Sequence, residues 1–264
     1  PSAAVSAPTD AVLPPSTASA IPSAAPEPTP VPAPALDFSL PAPETGAVED
    51  DWFSDAVFLG DSRSDGLRLY SGIRGADFLA YKSLMVFQVT GTGGVDAKAI
   101  PKNGVGDKKT ALAWLEEKQY GKVYVMFGIN ELGYGDDQAF QDAFALLIDE
   151  IRVRQPEAVI YIQSLIPVEP EKAHQMNPAA WLNNENVANY NEILRRVCAD
   201  KRAVYVDVQS VMADDSGTLP AESTTDGIHF TRSWYEKWYG YLKTHTVDPE
   251  AYRAGQGQAE GTEA

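Results

Sequence analysis

From residue 55 onward, short apolar runs alternate with longer amphipathic stretches, and this alternation constrains the fold more than any other feature. Five runs predict strands, at 56–59, 76–80 with an optional second piece at 84–89, 122–127, 159–163 and 203–206. Helical periodicity is predicted between them, at 64–71, 107–119, 136–154, 181–199 and 231–243. Because a parallel crossover needs about a dozen residues, the pattern predicts an α/β fold with a five-stranded parallel sheet between helices.

The start of the chain has a different composition, since the first 43 residues hold 12 of the 19 prolines. Proline removes a hydrogen-bond donor, and the Ala, Ser and Thr around it bury little apolar area, so ordering this segment is unfavourable. We therefore predict a disordered, partly polyproline-like spacer over 1–47. One domain of about 200 residues is predicted over 48–250, and a flexible tail over 251–264.

The proline-rich segment has the composition of a stalk that holds a domain away from a cell surface, although a cloning remnant or a plain loop is the alternative. No Lys or Arg precedes Arg63, and no apolar run approaches the roughly 20 residues that span a bilayer. We expect an extracellular or cell-surface location, with any signal or anchor removed before Pro1.

The net charge of −16 and the isoelectric point near 4.5 argue against nucleic acid or anionic lipid as partners. Cys198 is the single cysteine, so the chain can form no intrachain disulfide and no Cys-rich metal site. We expect Cys198 to be a buried small side chain. The expected partner is a small-molecule or glycan substrate, and the expected state is a monomer.

A serine directly follows the first predicted strand, in the sequence Gly-Asp-Ser-Arg that ends at Arg63. In open α/β sheets, sites form beyond the carboxyl ends of the strands. Ser62 would lie on a strand-to-helix turn, where backbone N–H groups can stabilise an oxyanion. The alternative is that the serine or the preceding aspartate only caps the helix.

Two further sequences follow later in the chain. Gly-Ile-Asn-Glu comes after the third predicted strand, so the amide of Asn130 could donate to an oxyanion, or the residue could simply form a turn. Asp226 precedes His229 by three residues and could accept its Nδ1 proton, leaving Nε2 to take the proton of a serine. His174 and His245 are less suitable bases, because one lies in a proline-flanked loop and the other lacks a preceding acid.

Cofactor sites are not indicated. The chain has no His-x-x-x-His and no paired cysteines, and the glycine-rich stretch 91–94 lacks the spacing of a dinucleotide or phosphate loop. We therefore expect neither a metal nor an organic cofactor.

Taken in order, Gly-Asp-Ser, Gly-Ile-Asn-Glu and Asp-Gly-Ile-His resemble the motifs of the SGNH/GDSL hydrolase family, over about residues 55–243. The resemblance implies a three-layer, flavodoxin-like catalytic domain. It also implies Ser62 as nucleophile, Asn130 as oxyanion donor, His229 as base and Asp226 as its orienting acid.

The sequence departs from the family at two places. Glu131 stands where the family commonly has aspartate, and the family's glycine block between the first and third strands is not evident. Ser83 could supply that block's backbone N–H to the oxyanion, and Gly93 and Gly94 are the competing candidates.

The family resemblance implies an esterase that removes short acyl groups, such as acetyl, from a carbohydrate or cell-wall glycan through an acyl-enzyme on Ser62. A glycan O-acetyltransferase with the same triad and a non-catalytic glycan-binding domain are the alternatives. Tyr70, Tyr134 and Trp181 could stack on a sugar ring. The long segment 165–180 could shape the substrate pocket.

Overall fold

The computed structural model describes residues 35–257, which form seven strands and nine α helices. The strands are β1 (Ala56–Gly60), β2 (Asp77–Ala80), β3 (Ala99–Pro101), β4 (Lys108–Thr110), β5 (Lys122–Met126), β6 (Val159–Gln163) and β7 (Val204–Val206). The helices are α1 (Ser62–Tyr70), α2 (Val86–Thr90), α3 (Ala111–Leu115), α4 (Asp137–Arg154), α5 (Pro170–Met176), α6 (Asn184–Lys201), α7 (Gln209–Met212), α8 (Arg232–Thr244) and α9 (Pro249–Gly257).

Five strands form one parallel sheet in the order β2-β1-β5-β6-β7. The middle strands are continuous apolar runs because both of their faces are buried. α1 and α8 pack against each other, and α4 forms a second helical group with α2, α3 and α6. The predicted α/β class is therefore confirmed as a flavodoxin-like, three-layer fold. Its strand order reverses between β1 and β5, and in open α/β sheets ligands bind beyond the carboxyl ends of the strands at such a reversal.

A column of stacked aromatic rings crosses four strands of the sheet. Phe78, Phe58, Tyr124 and Tyr161 occupy paired positions on β2, β1, β5 and β6, with ring centroids 4.8, 4.7 and 4.4 Å apart. A slip of one residue would turn each ring to the opposite face. The column therefore fixes the register that brings the ends of β1 and β5 to the same edge.

Two stretches differ from the predicted elements. Residues 84–89 do not extend the second strand, because most of them lie in α2, which ends at Gly91 in the left-handed region (φ 69°). A short apolar run fits a buried strand or a buried helix equally well. The helix predicted at 107–119 is confined to α3, and β3 and β4 form an antiparallel hairpin before it. Asn103 in the hairpin turn accepts a hydrogen bond from Phe78 N–H at 2.7 Å and so covers the edge of β2.

The boundary predicted at residue 47 was wrong for the described part of that segment. Residues 1–34 lie outside the described residues, but 35–47 pack against the domain. Pro41 forms a parallel bridge with Tyr205 on β7, and Ala42 N–H donates to Tyr205 O at 2.7 Å. Phe38 is only 8% exposed. The segment covers the edge of β7, which the density of prolines concealed in the sequence.

The flexible tail predicted at 251–264 was also wrong where the structure describes it. Pro249–Gly257 form α9, in which Tyr252 is buried and packs edge-on against Phe38 with ring centroids 5.6 Å apart. Residues 258–264 lie outside the described residues. One buried aromatic in a nine-residue helix gives too little periodicity to predict from sequence.

We expect Phe38→Ala to lower the free energy of unfolding by about 3 kcal/mol, because it removes a buried aromatic from the contact with α9. Leu40→Ala is the matched control, since Leu40 is 60% exposed, and should change stability by less than about 0.5 kcal/mol. Urea denaturation measures both. Equal stability of the two variants would mean that the 36–42 segment does not belong to the cooperative unit.

Candidate active site

The turn after β1 presents Ser62 as the first residue of α1. Asp61 caps the helix, with its Oδ1 accepting from Arg63 N–H at 2.8 Å, so the serine hydroxyl is free for another role. No carbonyl of α1 can accept the N–H of Ser62 at this position. Gly60 is required before them, because a Cβ there would lie 2.8 Å from Met126 O on β5.

Ser62, His229 and Asp226 form a hydrogen-bonded chain. The Oγ of Ser62 lies 2.8 Å from Nε2 of His229, and Nδ1 of His229 lies 2.7 Å from Oδ2 of Asp226. The structure thus brings together all three residues that the sequence indicated as a triad. His174 and His245 lie on other elements, on α5 and after α8.

Asp226 is held as a carboxylate. Partial burial raises its pKa, but hydrogen bonds from the His229 N–H and ring and from the Ile228 N–H outweigh burial and lower the pKa below its ordinary value. Oδ1 accepts the two backbone N–H groups at 2.8 and 2.9 Å, and Oδ2 is left for the imidazole. The carboxylate therefore fixes the histidine with Nδ1 protonated and Nε2 facing Ser62.

The loop that carries Asp226 and His229 rests on α5 and the residue before it. Gly227 has φ 82°, and a Cβ there would lie 2.2 Å from the backbone nitrogen of Ala173. Gly227 O accepts from Glu169 N–H at 2.9 Å, and Lys172 Nζ donates to Thr224 O at 2.8 Å. The segment 165–180 thus supports the loop that carries Asp226 and His229, whereas the sequence suggested that it shapes the substrate pocket.

A buried arginine links this loop to the segment that follows β6. Arg63 is inaccessible to solvent, and its guanidinium donates to Ile228 O at 2.9 Å, to Ile166 O at 2.5 Å and to Pro167 O at 3.5 Å. Burial lowers its pKa, whereas the charge of Asp61 raises it, and an arginine stays charged in any case. Arg63 could not be recognised from the sequence as a residue of the site, because a charged side chain next to a serine gives no sign of burial.

The two predicted oxyanion donors lie near the same edge but do not contact Ser62. Asn130 Nδ2 donates to Asp61 Oδ2 at 3.3 Å and to Leu84 O at 3.2 Å. Ser83 has φ 56° in the turn closed by Leu84 N–H to Tyr81 O at 3.1 Å, at the end of β2. The Asn130 amide therefore contacts Asp61, the residue before Ser62, and the oxyanion roles of Asn130 and Ser83 stay a prediction.

Glu131, which in the sequence stands out only as a departure from the family motif, has an unusual environment in the structure. Its side chain is buried, and Oε1 accepts from Val86 N–H at the start of α2, where the helix dipole favours an acidic group. Oε2 has no hydrogen-bond partner among residues 35–257. Burial is the main cause that raises the pKa of Glu131 to about 8, with the charge of Asp61 adding to it.

A cavity of about 590 Å³ opens beside Ser62 and His229. Its walls include the polar residues Asp65, Lys82 and Arg232 and the aromatic Tyr70, which is 43% exposed. Tyr134 and Trp181 do not line it. Tyr134 donates to Gly93 O at 3.1 Å, and Trp181 lies against Gly133. Of the three suggested aromatics, only Tyr70 is placed to meet a substrate there.

In the part of the chain that the structure describes, no group of three His, Cys, Asp or Glu side chains is arranged to hold a metal ion. No helix between residues 35 and 257 is both long and apolar enough to cross a bilayer.

Residues 58–237 match the GDSL-like lipase/acylhydrolase family. The chain belongs to this family. The match covers more than half of the sequence and contains Ser62, Asn130, Asp226 and His229. A search of curated proteins finds no match.

Solved structures of low sequence identity share the fold of this GDSL-family chain. One is a Streptococcus pneumoniae protein assigned as a platelet activating factor, with 21% identity and a TM-score of 0.55 over 72% of this chain and 82% of the other. Another, from Bacteroides fragilis and assigned as an acylhydrolase, has 14% identity and a TM-score of 0.52 over 82% and 91%. A third, assigned as a G-D-S-L lipolytic protein from Desulfitobacterium hafniense, has 13% identity and a TM-score of 0.52 over 72% and 98%.

The raised pKa of Glu131 predicts a loss of stability with rising pH. Between the ordinary pKa of 4.5 and about 8, the folded state binds more protons than the unfolded state, so the free energy of unfolding falls across this window. Glu131→Gln keeps an acceptor for Val86 N–H and should flatten the fall. Thermal unfolding at pH 5 and pH 8 measures it, with the exposed Glu236→Gln as control. Parallel pH curves for wild type and Glu131→Gln would contradict this reading of the site.

Replacing Arg63 by Met should lower the free energy of unfolding by about 3 kcal/mol, because three buried carbonyls lose a charged donor. Arg68→Met is the control, since Arg68 forms a partly exposed ion pair with Asp65 and should cost less than about 1 kcal/mol. Urea denaturation compares the two. An Arg63→Met protein as stable as wild type would show that the guanidinium does not hold the loop.

Proposed function

We propose that this GDSL-family chain is a serine esterase that removes short acyl groups through an acyl-enzyme on Ser62. The observation that carries the proposal is the chain of hydrogen bonds at 2.8 and 2.7 Å from Ser62 through His229 to Asp226, at the wall of an open cavity. A helix cap would not need this arrangement, because Asp61 already caps α1.

In the first step, Ser62 Oγ attacks the ester carbonyl carbon while His229 Nε2 takes the hydroxyl proton. The tetrahedral intermediate collapses, the bond from carbon to the alcohol oxygen breaks, and His229 returns the proton to the leaving alcohol. The Asp226 carboxylate stabilises the imidazolium that forms between these two transfers. An ester of Ser62 remains.

The oxyanion of the intermediate needs donors at the same edge. The N–H of Ser62 at the N-terminus of α1 is one, and the Ser83 N–H and the Asn130 amide are the proposed others. For Asn130 to donate, the oxyanion must replace Asp61 or Leu84 O as acceptor, since both amide hydrogens already have partners. Substrate binding is therefore proposed to complete the oxyanion hole.

In the second step, His229 takes a proton from a water molecule that attacks the acyl carbon. The bond from this carbon to Ser62 Oγ then breaks, His229 returns the proton to Ser62, and the acid is released. A sugar hydroxyl in the same place would give acyl transfer, which makes a glycan O-acetyltransferase the second candidate. The cavity walls are exposed at Leu69 and Tyr70, so water can reach the acyl-enzyme, and this favours hydrolysis.

The proposed substrate is a carbohydrate or cell-wall glycan that carries acetyl or another short acyl group. Tyr70 is a partly exposed aromatic side chain in the cavity wall that a sugar can contact, and the cavity is large enough for more than an acyl group alone. A location outside the cell or at its surface is proposed from the proline-rich composition of the first 43 residues, and a monomeric state is proposed separately.

The proposal is tested by hydrolysis of p-nitrophenyl acetate. Ser62→Ala should reduce kcat by at least about 10³-fold, and Asp226→Asn by about 10³-fold or more, because the histidine then loses its orienting carboxylate. Ser64→Ala is the matched control, because its buried hydroxyl, two residues away, has no partner within residues 35–257 and does not line the cavity. It should keep wild-type activity.

Two outcomes would end the esterase proposal. Turnover that survives Ser62→Ala would place the chemistry elsewhere, and a well-folded wild type without turnover would favour the non-catalytic glycan-binding alternative. Released acetate, compared with acetyl transferred to an added sugar, separates the hydrolase from the transferase.

A further inference from the structure

We infer that the cavity beside Ser62 selects esters whose alcohol part carries an anionic group, a carboxylate or a phosphate, and that Lys82 and Arg232 bind this group. The inference rests on the proposed esterase function and names a property of its substrate. It comes from the distribution of charge in the cavity.

The two acidic residues in the cavity wall are already paired. Asp65 forms an ion pair with Arg68 at 2.9 Å, and Asp226 is bound to His229 at 2.7 Å. Lys82 and Arg232 also line the cavity, and both are exposed. Neither forms an ion pair with a carboxylate among residues 35–257. The wall therefore presents two cations without an ion-pair partner beside Ser62, against one carboxylate, Asp226, whose charge the neutral imidazole of His229 does not cancel.

Arg232 occupies an unfavourable position for a cation. It is the first residue of α8, where the positive end of the helix dipole favours acidic side chains, and Thr231 before it makes no side-chain cap. The guanidinium lies 5.6 Å from the centroid of the Tyr70 ring and donates to Tyr70 O at 3.4 Å. An anion in the cavity would be bound by the side chain and favoured by the same helix end.

Lys82 lies in the turn that follows β2, far from Arg232 in the sequence, and lines the same cavity. The chain as a whole carries −16, so its long-range field repels anionic substrates. Local cations are then needed to hold an anionic group near Ser62, and two in one cavity suit a carboxylate or phosphate better than a neutral sugar.

The test uses three aryl acetates that differ in the para substituent: neutral 4-acetoxybenzamide, 4-acetoxybenzoate and 4-acetoxyphenyl phosphate. The measured quantity is the ratio of kcat/KM for each anionic ester to that for the neutral ester. The variants are Lys82→Gln, Arg232→Gln and the double variant. The matched controls remove the same charge elsewhere, Lys237→Gln on the exposed side of α8 and Arg196→Gln on α6.

We expect each cavity variant to lower the anionic-to-neutral ratio about fivefold and the double variant about 20-fold, with kcat/KM for the neutral ester little changed. The controls should leave the ratio unchanged. Raising NaCl to about 0.5 M should lower the ratio in wild type but not in the double variant, because the added salt screens the charges. The anionic ester whose ratio falls more in the double variant, 4-acetoxybenzoate or 4-acetoxyphenyl phosphate, carries the anion that the site prefers.

Failure of this inference is distinguishable from failure of the esterase proposal. If the neutral ester is hydrolysed through Ser62 while the ratio is the same in all variants, the anion site is refuted and the esterase stands. If no ester is hydrolysed, the affinities for benzoate and for phenyl phosphate are measured instead, by titrations that are monitored through NMR of the backbone amides. Equal affinity in wild type and in the double variant refutes the site. Affinity that is lost when Lys82 and Arg232 are replaced, but is kept in the control variants, supports it.

Discussion

The buried guanidinium of Arg63 is the interaction on which the site depends. Arg63 follows Ser62 directly, and its three carbonyl acceptors belong to the loop before His229 and to the segment after β6. A charged group without access to water must keep all of these partners, because an unpaired buried donor or acceptor is costly. The side chain of Arg63 therefore sets the position of the loop that carries His229 relative to Ser62. Helix α5 supports the same loop.

The fold supplies the rest of the geometry. The column of four aromatic rings fixes the register of β2, β1, β5 and β6, and the strand order reverses between β1 and β5, where sheets of this kind bind their ligands. Ser62 follows β1, Asn130 follows β5, and Asp61 joins the two by its contact with the Asn130 amide. The buried acid Glu131 lies beside them and links the same edge to α2. The polar residues Asp61, Ser62, Asn130 and Glu131 therefore all lie within a few residues of the ends of β1 and β5.

The sequence predicted the parts whose signal is local. Five strands and the long helices follow from periodicity, and the three motifs follow from the resemblance to the family. The structure brings Ser62, Asp226 and His229 together as predicted. Parts set by distant contacts could not be predicted. Phe38 and Pro41 lie among prolines that indicate disorder, yet β7 and α9 offer them an edge and an aromatic partner. The burial of Arg63 and the raised pKa of Glu131 likewise depend on residues far away in the chain.

Covalent labelling tests most directly whether Ser62 is the nucleophile. Wild-type protein treated with a fluorophosphonate should gain one equivalent of probe, and peptide mapping should place it on Ser62. The same treatment of His229→Ala should label far more slowly, because the serine loses its base. A folded wild-type protein that hydrolyses esters yet carries the probe on another residue, or on none, would show that Ser62 is not the nucleophile.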